Sequence, residues 1–294
     1  MQSRLLFIET RSPLHCGVGH ARGLVDLPIA RETVSGFPMI PSSGLKGALR
    51  NAAHDAELEQ SSISKLFGPS VKEITQQSHA GELSFGDASL LAIPVKSMNG
   101  VFGLVTSPYL LNKLALDIQS MGGTAPQIPN IKAGQALVTD QTILQHSSSD
   151  TRVTLTDYTL DSVNEPLVDE WSRLFSEWIS RDAYTSQSIQ TRFCIVNDDT
   201  LRDFVGRSVE VAVRVSLDRE TRTAANQALW TEENLPKFSI LFSMCYATPN
   251  QSGRKPETLY DELSVVVEQA VQIGGNATIG RGRCSISLCE VMSV

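Results

Sequence analysis

The sequence predicts an α+β fold, and three observations carry that reading. Apolar runs near both ends, Arg4 to Thr10 (RLLFIET) and Lys237 to Ala247 (KFSILFSMCYA), read as strands. Val209 to Leu217 (VEVAVRVSL) alternates with the two-residue period of a strand. Glu170 to Ser180 instead places Trp171, Leu174, Phe175 and Trp178 at helical spacing, the signature of an amphipathic helix. At 294 residues, 41% hydrophobic and 19% charged, the chain is globular and long enough for one elaborated domain or two ordinary ones.

Composition also excludes several classes. No apolar run reaches membrane-spanning length, and the first residues carry Arg4 and Glu9 without a secretory apolar core. The five cysteines include no CxxC pair, and Cys284 and Cys289, five apart, would face opposite sides of one strand. Reduced, mostly buried thiols in a cytoplasmic protein are expected. A net charge of -7 argues against a surface built for non-specific nucleic-acid binding. Residues 1–50 nevertheless hold six basic side chains (Arg4, Arg11, Arg22, Arg31, Lys46, Arg50) against three acidic ones (Glu9, Asp26, Glu32). That leaves -10 for the remainder and allows a local basic groove on an acidic body.

Taken in order, the first strand ends at Ser12-Pro13 and gives way to a glycine-rich loop. It should expose His15 and Asp26. Gly36 to Pro41 is held extended by its prolines, and Ser42 or Ser43 is the expected N-cap of a helix from about Gly44 to Glu59. Lys46 and Arg50 share a face in its first turns, where free amides and the dipole favour an anion. A solvated helix face is the plain reading of that pair; the Pro-Ser-Ser-Gly turn favours a phosphate contact. Residues 61–80 are polar, with Leu66-Phe67-Gly68-Pro69 as an anchored loop. Gly81–Ala88 and Leu90–Val105 read as short strands, and Asp87 as a turn former rather than a catalytic group. A helix runs from Ser107 to about Gly122. Gly123–Val168 is an irregular insertion with strands near Ala136–Thr139 and Thr151–Leu160, and His146 is solvated.

The aromatics of Glu170–Ser180 are core rather than a base-stacking platform. Phe193–Val196 is a strand, and Asn197 to Thr200 turn into a helix reaching about Val205. Asp198 and Asp199 suit a metal or, equally, a helix cap. Residues 218–236, polar and set between two strands, form a protruding arm from which Arg219, Arg222 and Trp230 could reach RNA; the plain alternative is an exposed loop with Trp230 folded back. Thr258–Gln272 is a helix with Leu259, Leu263, Val266, Val267 and Ala270 inward. The Ile273–Cys284 segment that follows has glycines for a close backbone approach and Arg281 and Arg283 for charge. It precedes a strand, Ser285–Val291, and lacks Gly-Lys-Ser/Thr, so it is neither a Walker loop nor a dinucleotide fingerprint.

Four stretches, spread over nearly the whole chain, then resemble a known family. They are Val25-Asp26-Leu27-Pro28-Ile29-Ala30-Arg31-Glu32; Ile40-Pro41-Ser42-Ser43-Gly44-Leu45-Lys46-Gly47-Ala48-Leu49-Arg50; Ala228-Leu229-Trp230-Thr231-Glu232-Glu233-Asn234-Leu235-Pro236; and Gly274-Gly275-Asn276-Ala277-Thr278-Ile279-Gly280-Arg281-Gly282. The chain resembles the RAMP superfamily, and within it the backbone subunits of type III-B (Cmr) CRISPR effector complexes. The resemblance implies an α+β fold with an RRM-like (ferredoxin-like) palm, large insertions, a protruding thumb hairpin and a C-terminal glycine-rich loop. One domain would span 1–294, with the palm from 1–60, 81–105, 185–217 and 237–294. The insertion would cover about 107–184 and the thumb arm about 218–236.

The same resemblance implies copies stacked helically on a guide (CRISPR) RNA beside other Cmr subunits in antiviral defence. Each thumb would wedge into the guide–target duplex at regular intervals. Asp26 then takes the role of the aspartate needed to cut target RNA with a divalent metal, Mg or Mn. His15 and, from an adjacent copy, Glu232 or Glu233 are helpers. Ser43, Gly44, Lys46, Arg50, Gly274, Gly275, Arg281 and Arg283 fall at guide-binding positions, with Arg219, Arg222 and Trp230 on the arm. Two alternatives stand beside this reading: a non-catalytic RNA-binding scaffold with Asp26 merely capping its loop, and a free-standing guide-processing ribonuclease with His15 as general base.

Overall fold

The first strand, β1 (Gln2–Thr10), buries Leu5, Leu6, Phe7 and Ile8 completely or nearly so, and the unbroken apolar run explains why. Leu6 and Ile8 point into one core, and Leu5 and Phe7 into a second core on the opposite face. A strand buried on both faces has no polar side to alternate with. The computed structural model describes residues 2–19, 25–69, 79–147, 149–217, 224–248 and 253–291.

In chain order β1 is followed by β2 (Met39–Ile40), α1 (Ser42–Asp55), α2 (Gln60–Phe67), β3 (Leu83–Phe85), β4 (Ala88–Lys96), β5 (Phe102–Thr106) and α3 (Pro108–Ser120). The middle of the chain supplies β6 (Gln135–Val138), β7 (Arg152–Leu155), β8 (Tyr158–Asn164), α4 (Pro166–Ile179), α5 (Ala183–Arg192), β9 (Phe193–Ile195) and α6 (Asp198–Ser208). Then come β10 (Glu210–Leu217), β11 (Ala224–Asn234), β12 (Ile240–Ala247), α7 (Pro256–Val267), β13 (Val271–Gln272) and β14 (Arg283–Cys289). The α+β expectation holds: one large mixed sheet runs β13-β14-β1-β12-β4-β5-β9-β6-β8-β7.

Around β1 the sheet is antiparallel, with β14 on one side and β12 on the other, and β4 beyond β12. α1, α2 and α7 cover the face to which Leu6 and Ile8 point, through Leu45, Leu49, Ile63, Leu259 and Leu263. α3 and α4 cover the other face with Leu111, Leu114, Trp171 and Phe175. Trp171 and Phe175 are fully buried and meet edge-on, and Trp178 stacks on Phe7 at 5.0 Å, so the aromatic stripe is core as expected. None of the described helices is long and apolar enough to cross a membrane. All five cysteines are free thiols; burial pushes Cys16 up to about 11 and Cys194 to about 12.

Several expectations are corrected. Pro41, not a serine, stands at the start of α1, and the Asp87 carboxylate accepts from the Ser42 amide at 2.7 Å. Asp87 thus caps a helix from across the fold, a contact that no local pattern encodes. Gln60–Phe67 forms α2, where residues 61–80 read as polar with a loop at Leu66–Pro69, and Ala183–Arg192 forms α5, which had no sequence signal. The Asp198 carboxylate accepts from the Tyr109 amide at the start of α3 at 2.9 Å and the Asn197 side chain caps α6, so these side chains serve helix starts. His146 is not simply solvated: its ring meets Asp150 at 3.2 Å and Thr154 at 2.8 Å.

The largest difference concerns the alternating Val209–Leu217 run. It is a strand, but it pairs with β11 alone in a separate two-stranded ribbon. Val211, Val213 and Val215 are exposed, so the alternation marks a ribbon rather than a sheet covering a core. The polar segment after it is correspondingly strand from Ala224 to Asn234 and not a loop.

Trp171→Ala should remove about 3–5 kcal/mol of stability by leaving a cavity under β1. Urea unfolding followed by circular dichroism checks this; a loss under about 1 kcal/mol contradicts the central placement of α4.

Candidate functional site

β11 has two edges, and only one belongs to β10. The other is taken up by the N-terminal loop. The Thr231 amide donates to the Asp26 carboxylate at 2.8 Å, and the Thr231 carbonyl accepts from the Leu27 amide at 3.0 Å. Two residues on, the Glu233 amide donates to the Leu27 carbonyl at 2.9 Å, and the Glu233 carbonyl accepts from His15 Nδ1 at 2.7 Å. Leu235 and Leu14 then exchange both backbone bonds, at 2.8 and 2.9 Å. Alternate residues of a strand turn their backbone groups the same way, so Thr231, Glu233 and Leu235 bond the loop as a set.

Asp26 lies at the outer end of this ladder and is exposed. Its Oδ2 accepts from both the amide and the hydroxyl of Thr231, at 2.8 and 2.9 Å, and its own amide donates to the Thr231 oxygen at 3.0 Å. The Thr231 backbone bond first, and then its hydroxyl, hold the Asp26 carboxyl below its ordinary range. Asp26 is therefore an ionised, oriented acceptor at neutral pH. Thr231 is the residue of this arrangement that sequence reasoning missed; its position one before the Glu-Glu pair was the available signal.

The other site candidates divide differently from expectation. His15 is buried, not exposed, and its Nδ1–H donates to a carbonyl, which leaves Nε2 facing Gly17. Glu232 is buried, accepts from Asn276 at 2.9 Å and lies 3.9 Å from Arg214 Nε. Glu233 accepts from the Ile29 amide at 3.1 Å and from Arg31 at 3.3 Å. Glu233 braces the N-terminal loop and Glu232 the last glycine-rich loop of the same chain. Among the described residues no group of three or more His, Cys, Asp and Glu side chains is placed to share a metal ion. The residues present thus do not by themselves fit a resident metal, and Asp26 is a single carboxylate.

The guide-binding candidates converge in part. A groove of about 730 Å³ runs between α1 and the end of α7, and Gly44 and Gly274 both line it, together with Asn51, His54 and Gln272. Ser43 is exposed beside it and Lys46 is half-buried one turn on. Arg50 points elsewhere, donating to the Pro69 carbonyl at 3.3 Å. The glycines of the last loop serve their own chain first: Gly274, at φ +73°, lies so close to His15 that a Cβ would sit 2.2 Å from its carbonyl oxygen. Gly275 donates its amide to that same oxygen at 2.9 Å, and a Cβ there would meet nothing closer than 3.7 Å. Arg281 lies 3.7 Å from Glu210, while Arg283 is exposed. Trp230 is half-buried opposite Arg214; Arg219 and Arg222 lie outside the described residues. Three of the six basic side chains of the first 50 residues are paired with carboxylates of this chain, as Arg4–Glu290, Arg11–Glu9 and Arg31–Glu233.

Thr231→Val keeps the amide and removes the hydroxyl, so the Asp26 carboxyl should titrate higher than in the parent chain while staying below its ordinary value. Site-resolved carboxyl NMR checks this. Because the folded value is lowered, Asp26 stays charged from neutral pH down through the usual carboxylate range, and its clasp on Thr231 weakens only as pH falls through the lowered value. An unshifted titration in the variant contradicts the clasp.

Comparison with known proteins places the chain in a family. The model of the RAMP superfamily matches residues 7–285. The CRISPR system Cmr endoribonuclease Cmr4 of Pyrococcus furiosus is 31% identical over 299 residues, covering 99% of this chain and 97% of the relative. The crystal structure of oligomeric Cmr4 from the same organism superposes with a TM-score of 0.77 at 27% identity, covering 99% of both chains. A chain in the cryo-EM structure of the type III-B Cmr-beta complex bound to cognate target RNA shares the fold, with a TM-score of 0.76 at 20% identity over 98% of this chain and 97% of the other. The chain belongs to the RAMP superfamily and, within it, to the Cmr4 family.

Proposed function

We propose that this chain is the backbone subunit of a type III-B CRISPR ribonucleoprotein, binding guide RNA and cleaving complementary target RNA at regular intervals in antiviral defence. The observation that carries the reading is the exposed, ionised Asp26 held by Thr231 at the root of a protruding ribbon. The membership of the Cmr4 family and the 31% identity to a relative named an endoribonuclease support it. The palm is β1-α1-β4-β12-α7-β14 in the sheet order β14-β1-β12-β4, the βαββαβ arrangement of an RRM-like unit. The β10–β11 ribbon is the thumb, and copies stack so that each thumb enters the guide–target duplex bound by its neighbours.

Guide pairing selects the sequence, and the protein supplies geometry. A thumb that opens the duplex frees one phosphodiester to reach in-line geometry, and orientation alone lowers such a barrier by several kcal/mol. Asp26, charged and fixed, accepts a proton or orients the attacking hydroxyl. Glu233 and Thr231 are positioning residues: one braces the loop through Ile29 and Arg31, and the other aims the carboxylate. A divalent ion, Mg²⁺ or Mn²⁺, would be held by Asp26, the one carboxylate that the described residues turn outward here, and would supply charge neutralisation at the phosphate.

Asp26→Asn in the assembled complex should leave target binding within about twofold and slow cutting by roughly 10²–10⁴. Cutting at the parent rate would remove Asp26 from the reaction and favour the non-catalytic scaffold. Chelation with EDTA should stop cutting with target binding intact; persistent cleavage in EDTA rules out the metal.

A further inference from the structure

The loop that carries Asp26 has a second anchor, at its far end and away from the ribbon. Asp26, Leu27, Ile29 and Arg31 are all bonded to Thr231 or Glu233 of β11. Glu32, the next residue, is held by a different element. Lys113 of α3 donates from Nζ to Glu32 Oε1 at 2.5 Å, and Ser35 donates to Oε2 at 2.6 Å. The same ammonium donates to Ser89 Oγ at 2.9 Å, so Lys113 joins the loop to β4 as well as to α3. Tyr109, one helical turn before Lys113, extends the contact: its ring lies 6.0 Å from that of Phe37 and 5.9 Å from the ammonium.

Both sides of this contact are stiff. α3 buries Leu110, Leu111, Leu114 and Ile118, and the Tyr109 amide in its first turn is bonded to Asp198. On the loop side, residues 32–37 close a tight turn. The Gly36 amide donates to the Glu32 carbonyl, and the Glu32 amide to the Phe37 carbonyl, both at 2.9 Å. Burial pushes the Glu32 carboxyl up, but the bonds from Lys113 and Ser35 more than offset this, and it is charged at neutral pH. A partly buried pair with both charges hydrogen-bonded holds its geometry better than an exposed surface pair.

The two anchors are fixed to different bodies. β11 belongs to the projecting ribbon, whereas β4 and α3 belong to the main sheet and the helices that cover it. A loop held by β11 alone would take its position from the ribbon only. With Glu32 held, six residues after Asp26, it takes its position from the main sheet too. That matters for catalysis, because a misplacement of about 1 Å at a reacting group can cost about a hundredfold in rate. We propose that Lys113 is a positioning residue for target cleavage, holding Glu32 so that the loop presents Asp26 correctly. The proposal rests on the assignment of the reaction to Asp26.

The test measures target binding and cutting at saturating target in the assembled complex, and hydrogen exchange in the full-length chain without RNA. Lys113→Met should leave target affinity within about twofold and slow cutting roughly tenfold or more. Lys113→Arg, which keeps the charge and its donors, should recover most of that loss. Glu32→Gln should slow cutting as Lys113→Met does, and the double variant should be no slower than the slower single, since one contact is lost in each. In the free chain, exchange of the Leu27 and Ile29 amides should quicken severalfold in Lys113→Met. Parent-rate cutting in Lys113→Met, no recovery in Lys113→Arg, additive losses in the double variant or unchanged exchange overturns the proposal. Where Lys113→Met does not fold, parent-rate cutting in Glu32→Gln overturns it. Asp26→Asn separates the two assignments: if it cuts at the parent rate, Asp26 is not the reacting group. If it is slow while Lys113→Met cuts at the parent rate, only the anchor fails.

Discussion

The structure depends on the second edge of β11. A two-stranded ribbon projecting from a domain is marginal by itself, because each strand leaves one row of amides and carbonyls unpaired. Here the inner part of that row, from Thr231 to Leu235, is bonded by Leu14, His15, Asp26 and Leu27. The ribbon root and the N-terminal loop therefore form one unit, and neither has its observed shape without the other. The last glycine-rich loop closes it from below, through the Gly275 amide on the His15 carbonyl and Asn276 on Glu232.

This explains why residues so far apart in sequence looked alike in purpose. His15, Asp26, the Glu-Glu pair and Gly274-Gly275 are neighbours, yet they are not equivalent. Asp26 alone turns its charged group outward. His15 and Glu233 are spent on holding the N-terminal loop to the ribbon and Glu232 on holding the last glycine-rich loop, so one carboxylate is presented by several supports.

Much of the fold was legible because it follows from apolar patterning. The run from Leu5 to Ile8, the aromatic stripe of α4 and the apolar strand β12 are buried where their periodicity placed them. What was not legible came from contacts across the chain. Nothing near Ser42 indicates that Asp87 will cap its helix, and α5 carries only a weak apolar stripe, so neither announced itself. The Val211, Val213, Val215 alternation gave the strand correctly but not its location, because period two reports pleating and not what covers the face. At the site, Asp26 was found through its loop motif, whereas its partner Thr231 has no motif of its own. Its role exists only once the loop lies along β11.

The bonds between Asp26 and Thr231 also have a mechanical consequence. A carboxylate mounted on a separate loop would keep its position when the ribbon swings. This one is fastened to the ribbon itself, through backbone as well as side chain. The ribbon is thus a lever with the carboxylate near its pivot, and any force that nucleic acid exerts on the tip is delivered to Asp26 as a small displacement.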